Sequence, residues 1–245
     1  LNYDTLADLY DRQYANYRDD IAHYGRLAEK LGANRVLELG AGTGRVTVPM
    51  ARRGFIMTGL EVSPIMLERA RTRSEREGVN VRWLEGDMRE FDLNDQFPLI
   101  IAPFNALMHL YTLDDQDRAL ERIRAHLEPG GVFAFDLYQP RFGPEGVLRH
   151  EGETFLDPDG SRTDVLVLQR IERTAQLAFT TYFVDMIRPD GTLKREVLEL
   201  KQRYFTRFEL ERWFSPKCRL ELRGDFDGSR LTDESPLFVG FSHIR

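Results

Sequence analysis

The residues best suited to chemistry sit in one short stretch, Glu38-Leu39-Gly40-Ala41-Gly42-Thr43-Gly44. The run Val36-Leu37-Glu38-Leu39 reads as an apolar strand, and the segment from Arg45 to Arg53 reads as a helix stopped at Gly54. A turn between strand and helix must bend sharply and let a ligand come close to the backbone, which side chains would block. In an open α/β sheet, ligands collect at the carboxyl ends of the strands. Two ligand classes compete for such a turn. A dinucleotide turn, G-x-G-x-x-G, needs a third glycine that, counted from Gly40 and Gly42, falls on Arg45, so that match fails. The spacing present is E-x-G-x-G-x-G. Glu38 at the strand end would repel an anionic pyrophosphate and favours a cation.

Further signals follow in order. Glu61 ends the second strand, 17 residues past Gly44, where a carboxylate can accept hydrogen bonds from both ribose hydroxyls. A nicotinamide dinucleotide site places an acid similarly, so Glu61 fixes a ribose without choosing the cofactor. Gly86-Asp87-Met88 follows the third strand, and Leu127-Glu128-Pro129-Gly130-Gly131 precedes the fifth. In this order, residues 35–138 resemble the class I S-adenosylmethionine-dependent methyltransferases. The resemblance implies S-adenosyl-L-methionine as cofactor. Gly40, Ala41, Gly42 and Gly44 would then form its turn, with Glu38 near its cationic end. Glu61 and Val62 would lie at the ribose. Asp87 would hold the adenine amino group, with Gly86 and Met88 beside the ring and Ile65 or Met66 over its other face. Phe104 and Asn105 would line the methionine end. For Arg45 two readings stand: a bidentate partner of the methionine carboxylate, or a solvent-facing helix residue.

Methyl transfer is an in-line displacement at a carbon the sulfonium has already activated, so the protein mainly aligns donor and nucleophile. An amine nucleophile needs only to arrive unprotonated, whereas a hydroxyl benefits from a base. His109, after the fourth strand, is the most attractive proton acceptor because imidazole titrates near neutrality; the competing reading is a histidine packed in a helix turn. Asp136, late in the fifth strand, either orients the substrate or is a satisfied polar residue beneath the following segment. The five histidines lack ligand spacing, so no metal site is expected.

The elements needed to position these groups are legible. Alternating strand-like and helix-like segments up to Tyr138 predict an α/β, Rossmann-like doubly wound sheet of seven mostly parallel strands, the last antiparallel. Predicted strands cover residues 36–39, 55–60, 79–84, 97–102 and 132–138, with a helix over 114–127. From Gln139 to Phe205 the pattern becomes long Val-, Thr- and aromatic-rich strands joined by turns such as Arg188-Pro189-Asp190-Gly191. This is an inserted antiparallel β subdomain, a lid or a dimer surface, between a parent domain of residues 1–138 and 206–245. Its aromatic residues Phe179, Tyr182, Phe183, Tyr204 and Phe205 serve a small core or a recognition face. Tyr3, Tyr10, Tyr14, Tyr17 and Tyr24 share one face if their segment is a single helix. They form a packed stripe, or Tyr10 and Tyr14 close over the cofactor. The layout is similar to small-molecule methyltransferases with an insertion after strand five, sugar-amine N-methyltransferases among them, and Tyr3-Asp4-x-x-Ala7-x-x-Tyr10-Asp11 resembles their N-terminal helix.

The 245 residues are 42% hydrophobic and 30% charged, with net charge −6 and one cysteine, Cys218. The balance argues against nucleic acid as a partner, no apolar run is long enough to span a bilayer, and no secretory signal opens the sequence. A cytoplasmic monomer or homodimer acting on a small-molecule methyl acceptor is expected. The alternatives are a non-catalytic S-adenosylmethionine-binding sensor and, less favoured, a nicotinamide-dependent oxidoreductase.

Overall fold

The computed structural model describes residues 3–140, 143–215 and 218–244. In chain order the elements are helices α1 (Tyr3–Gln13) and α2 (Asp19–Leu31), strand β1 (Arg35–Leu39), α3 (Thr47–Arg52), β2 (Ile56–Glu61), α4 (Pro64–Arg76), β3 (Arg82–Glu85), β4 (Phe97–Ala102), α5 (Leu113–Ala125) and β5 (Leu127–Tyr138). Strands β6 (Arg149–His150), β7 (Phe155–Leu156), β8 (Arg162–Glu172), β9 (Leu177–Ile187) and β10 (Leu193–Arg203) follow, then α6 (Arg207–Phe214), β11 (Cys218–Arg223) and β12 (Leu237–Ile244).

Two compact units result: Asn16–Gln139 with Phe205–Arg245, and Leu1–Ala15 with Pro140–Tyr204. The first carries a seven-stranded sheet in the order β11-β12-β5-β4-β1-β2-β3. The pairs β1–β2, β1–β4, β2–β3 and β4–β5 are parallel, while β12 runs antiparallel to both β5 and β11. This is the Rossmann-like arrangement with a reversed last strand that the motif order predicts. Residues alternate across it as strand geometry requires. Val36, Leu99, Ile101, Val132 and Ala134 face Ile21, Tyr24 and Ala28 of α2 and Met50 of α3. On the opposite side Phe133 and Phe135 stack on Phe214 of α6, with ring centroids 6.2 and 5.3 Å apart. A Cβ on Gly240 of β12 would lie 2.3 Å from the Phe135 ring, so glycine is what lets that ring lie flat on the neighbouring strand.

Helix starts follow side-chain chemistry. Ser63 caps α4 through Met66 N–H, with Pro64 in its first turn. Thr112 and Asp115 form a reciprocal capping box on α5.

The second unit is an antiparallel sheet in the order β10-β9-β8-β6, with β7 also paired to β8. Leu9 of α1 packs with Val165, Val184 and Leu198, flanked by Phe155 and Tyr182, and Arg12 pairs with Asp157 at 3.0 Å. These contacts group α1 with the inserted strands rather than with the parent domain expected from sequence. Tyr182 thus belongs to a small core, while Phe183 lies under the Arg195 guanidinium on the other face of β9.

Three expectations are corrected. The tyrosine stripe is not one helix: α1 ends at Gln13 and α2 begins at Asp19, so Tyr14 and Tyr17 lie between them. The Pro129-Gly130-Gly131 turn does not precede β5 but lies within it as an irregularity. Phe97 pairs with Leu127 and Leu99 with Val132, because Leu127 already reaches the β4 ladder. Phe205 belongs to the unit of the seven-stranded sheet and not to the insertion, and it is buried and stacked on Trp213 at 5.9 Å.

Candidate active site

The glycine bend leaves the carboxyl end of β1 with Gly40, Gly42 and Gly44 all left-handed, at φ of 69°, 56° and 76°. Two of these glycines do different work. A Cβ on Gly44 would meet Trp83 at 3.0 Å and Val48 at 3.2 Å, so this position lets the start of α3 settle on the sheet. Above Gly42 a Cβ would meet nothing within 4 Å. The backbone there is bare toward open space, the condition for close approach of a ligand. Ala41 is buried, and its N–H donates to the Leu60 carbonyl at 3.0 Å, tying the bend to β2.

Glu61 braces the same bend. Its Oε2 accepts from Gly42 N–H and its Oε1 from Ser63 N–H, both at 2.9 Å. Val62 N–H adds a third backbone contact, and a carboxylate with about four acceptor directions still has room for a ribose hydroxyl. Burial raises the Glu61 pKa, opposed by those backbone donors. Val62 and Ile65, beside it, are exposed apolar side chains at the sheet's carboxyl edge, and Met66 is half-buried. Gly86 N–H donates to the Glu61 carbonyl at 3.0 Å, which sets the end of β3 against the end of β2. The Met88 methyl comes within 3.7 Å of where a Gly40 side chain would begin. Asp87 carries a clamp: Arg89 binds it through its backbone N–H, Nε and Nη2, and lowers its pKa.

Glu38 lies fully inside the sheet end. Thr47 Oγ1 donates to it at 2.5 Å, and burial pushes its pKa up to about 8.

The loop after β4 is held from β5. Phe104 and Asn105 are consecutive non-glycine residues with positive φ, 54° and 66°, a conformation that costs energy and clusters at functional sites. Four bonds hold it. Phe104 N–H reaches both Asp136 oxygens at 3.0 Å, Asn105 N–H reaches the Asp136 carbonyl at 3.2 Å, and Asn105 Oδ1 accepts from Tyr138 N–H at 2.7 Å. Asp136 also accepts from the Tyr24 hydroxyl at 2.6 Å. Burial raises the Asp136 pKa to about 6, opposed by the Tyr24 and Phe104 donors. Of its two readings, the satisfied polar residue fits: its carboxylate is committed to protein donors.

Arg45 is not solvent-facing. It is buried with its guanidinium paired to Asp20 at two points, Nη1–Oδ1 at 3.1 Å and Nη2–Oδ2. It lies 4.6 Å below the Phe104 ring and 5.5 Å from that of Tyr17. With both ends on Asp20, it props the loop instead of presenting a fork outward.

His109 ends the short 3-10 turn Ala106–His109. The residue is exposed, and its Nδ1 is 3.4 Å from the Tyr111 hydroxyl. Tyr10 and Tyr14 belong to the other unit, where their rings meet at 5.2 Å. Among the described residues no three potential metal ligands converge.

The bend, Glu61, Asp87 and the Phe104–Asn105 loop therefore share the carboxyl edge of β1 to β4. Sequence reasoning missed four supports: Asp20, Tyr24, Thr47 and Arg89. Asp20 reads as an ordinary first-turn acid and Tyr24 as one of a stripe. Thr47 and Arg89 carry no local signal.

A family described as methyltransferase domain matches residues 36–131. These residues are the glycine bend, the two acid-bearing strand ends and the β4 loop. Residues 36–131 of this chain are thus similar to a methyltransferase domain. S-adenosylmethionine is the cofactor of this family. A dTDP-3-amino-3,4,6-trideoxy-alpha-D-glucopyranose N,N-dimethyltransferase of Streptomyces venezuelae is 30% identical over 60% of this chain and 66% of its own length. A putative methyltransferase of Geobacillus sp. strain WCH70 is 28% identical over 56% and 54%. The chain thus spans about half to two thirds of the length of these curated relatives. Among solved structures, the CcbJ methyltransferase of Streptomyces caelestis is 25% identical with a TM-score of 0.81, covering 98% of this chain and 96% of its own. The amino pentose methyltransferase CalS10 of Micromonospora echinaspora shares the fold, with TM-score 0.78, 24% identity and coverage of 95% and 96%.

The residues of the methyltransferase domain fit that cofactor. The bare backbone at Gly42 admits it, the remaining acceptor capacity of Glu61 suits a hydroxyl of its ribose, and the exposed Val62 and Ile65 offer an apolar surface for its base.

Proposed function

We propose that this protein is an S-adenosylmethionine-dependent methyltransferase that methylates an amine or hydroxyl of a small molecule. The observation that carries the reading is the bare left-handed backbone at Gly42, braced by Glu61. When bound, the cofactor supplies a methyl group already activated by its sulfonium. The chain's residues do the rest. Glu61 receives the ribose hydroxyls and fixes the donor's direction. Phe104 and Asn105, pinned by Asp136 and propped by Arg45, shape the methionine end. His109, whose imidazole titrates near neutrality, accepts the proton released by the nucleophile.

An amino group is the favoured acceptor, because named relatives include two sugar N,N-dimethyltransferases and solved neighbours include a sugar N-methyltransferase. Among the described residues no helix is long and apolar enough to cross a membrane, and the single cysteine is buried; we place the enzyme in the cytoplasm, as a monomer or homodimer. The test is transfer of a labelled methyl group to a panel of amino sugars, simple amines and phenols. Label entering at least one amino compound, and entering more slowly in the His109→Ala variant, supports the reading. Cofactor binding without transfer to any compound class would favour a sensor instead.

A further inference from the structure

Asp136 joins three parts of the fold. It lies near the end of β5 at 3% exposure, and both of its carboxylate oxygens take the Phe104 N–H at 3.0 Å. Its Oδ1 also takes the Tyr24 hydroxyl of α2 at 2.6 Å. Phe104 and Asn105 hold positive φ without being glycine, so the loop keeps this shape only while other contacts outweigh the backbone cost. Its remaining bonds, Asn105 N–H to the Asp136 carbonyl and Tyr138 N–H to Asn105 Oδ1, join neutral groups. The carboxylate contributes charge, and a charged partner makes a hydrogen bond about twice as strong.

Tyr24 is fully buried, and burial with the nearby acids Asp136, Asp20 and Glu38 holds its hydroxyl protonated. Donation from that hydroxyl favours the ionised form of Asp136, against a burial that pushes its pKa up to about 6. The other charges facing Asp136 are Asp20, which opposes ionisation, and Arg45, which favours it while bound to Asp20 at both ends. Tyr17, from the connection before α2, faces it with a hydroxyl that burial keeps protonated. Glu38 titrates higher, near pH 8.

We infer that Tyr24 is a positioning residue: its buried hydroxyl, acting through the Asp136 carboxylate, holds the strained Phe104–Asn105 loop in the shape that receives the methionine end of the cofactor. The inference rests on the reading of that loop as the methionine end. It has a consequence in pH. A proton taken up by Asp136 adds a third donor where the Tyr24 hydroxyl and Phe104 N–H already point, so one contact gives way. The loop is pinned above the titration of Asp136 and released as pH falls through about 6.

The experiment is calorimetric titration of the full chain with S-adenosylhomocysteine from about pH 5 to about pH 7.5, which brackets that step. Wild-type affinity should be level at the upper end and fall below the step by up to about tenfold per pH unit, as for one proton. Tyr24→Phe keeps the ring and removes only the hydroxyl. Its midpoint should move up by about one pH unit, the scale of one hydrogen bond to a charged group. In Asp136→Asn the side chain still accepts from Phe104 N–H and cannot titrate, so the acid fall should vanish. A purely structural Tyr24 would weaken binding equally at every pH. An unmoved midpoint in a Tyr24→Phe protein that unfolds cooperatively in urea therefore overturns the inference. So does an acid fall that persists in Asp136→Asn, which would assign it to another group such as His23, whose ring packs against Tyr24 at 5.3 Å. The Asp136→Asn arm decides even where Tyr24→Phe does not fold. Wild-type protein that binds S-adenosylhomocysteine equally at both ends of the range defeats this inference alone. Wild-type protein that binds none at any pH defeats the methyltransferase reading with it.

Discussion

Replacing Asp20 by Asn leaves the Arg45 guanidinium deep in the protein without its carboxylate. The side chains of the pair are 0% and 5% exposed, so water cannot take over the lost contact. Breaking a buried pair from one side costs about 3–5 kcal/mol. For a chain of this size each kcal/mol moves the melting temperature by roughly 2–4 °C, so a fall of about 6–20 °C is expected. Both tryptophans, Trp83 and Trp213, lie in the unit of the seven-stranded sheet, so tryptophan fluorescence during urea unfolding reports that unit alone. The double variant Asp20→Leu, Arg45→Met removes both charges, and apolar replacement of a whole pair is often neutral or better. It should recover most of the lost stability. It should not recover S-adenosylhomocysteine affinity, because the cation under the Phe104 ring is gone. An Asp20→Asn protein within about 1 kcal/mol of wild type would refute the reasoning, since that is the worth of a solvated pair. A double variant with wild-type ligand affinity would refute the role of Arg45 as a prop.

Five further outcomes are expected. Gly42→Ala should cost about 1–2 kcal/mol for its left-handed backbone and also weaken S-adenosylhomocysteine binding tenfold or more by filling the cradle. Gly44→Ala should act chiefly on stability, because its Cβ collides with Trp83 and Val48; urea unfolding and calorimetry on both variants separate the two. Glu61→Ala should weaken cofactor binding by about 1–3 kcal/mol, and unchanged calorimetric affinity would place the ribose elsewhere. Burial holds Glu38 protonated up to about pH 8, while the unfolded chain releases that proton above its ordinary 4.5. The group therefore costs stability as pH rises from 4.5 to about 8, and Glu38→Gln should flatten the decline in urea-unfolding free energy over that window. His109→Ala should slow turnover with near-normal cofactor affinity, and full activity would remove it as the base.

The glycine bend was legible because its requirements are local. Only residues without a side chain tolerate three alternating left-handed positions, and E-x-G-x-G-x-G excludes the dinucleotide turn by one place. Glu61 was legible because an acid at a strand end is a feature of chain order. The supports were not, because they arise from contacts across long sequence separations. Asp20 meets Arg45 from 25 residues away and Tyr24 meets Asp136 from 112. Nothing in either neighbourhood marks the pairing. The break between α1 and α2 escaped for a related reason: tyrosines at helical spacing continue through Asn16, Tyr17 and Arg18, yet Asp20 must turn inward to reach Arg45. The Pro129-Gly130-Gly131 segment shows the converse error. Its residues favour a turn, but pairing of Leu127 with Phe97 keeps them in the strand as a bulge.

The central claim is that a nucleoside with a cationic neighbour binds over Gly42 beside Glu61. Calorimetric titration with S-adenosylhomocysteine and, separately, with NAD tests it most directly. The account predicts saturable one-to-one binding of S-adenosylhomocysteine that is lost in Gly42→Val, and no heat from NAD. Binding of NAD without any response to S-adenosylhomocysteine would contradict it.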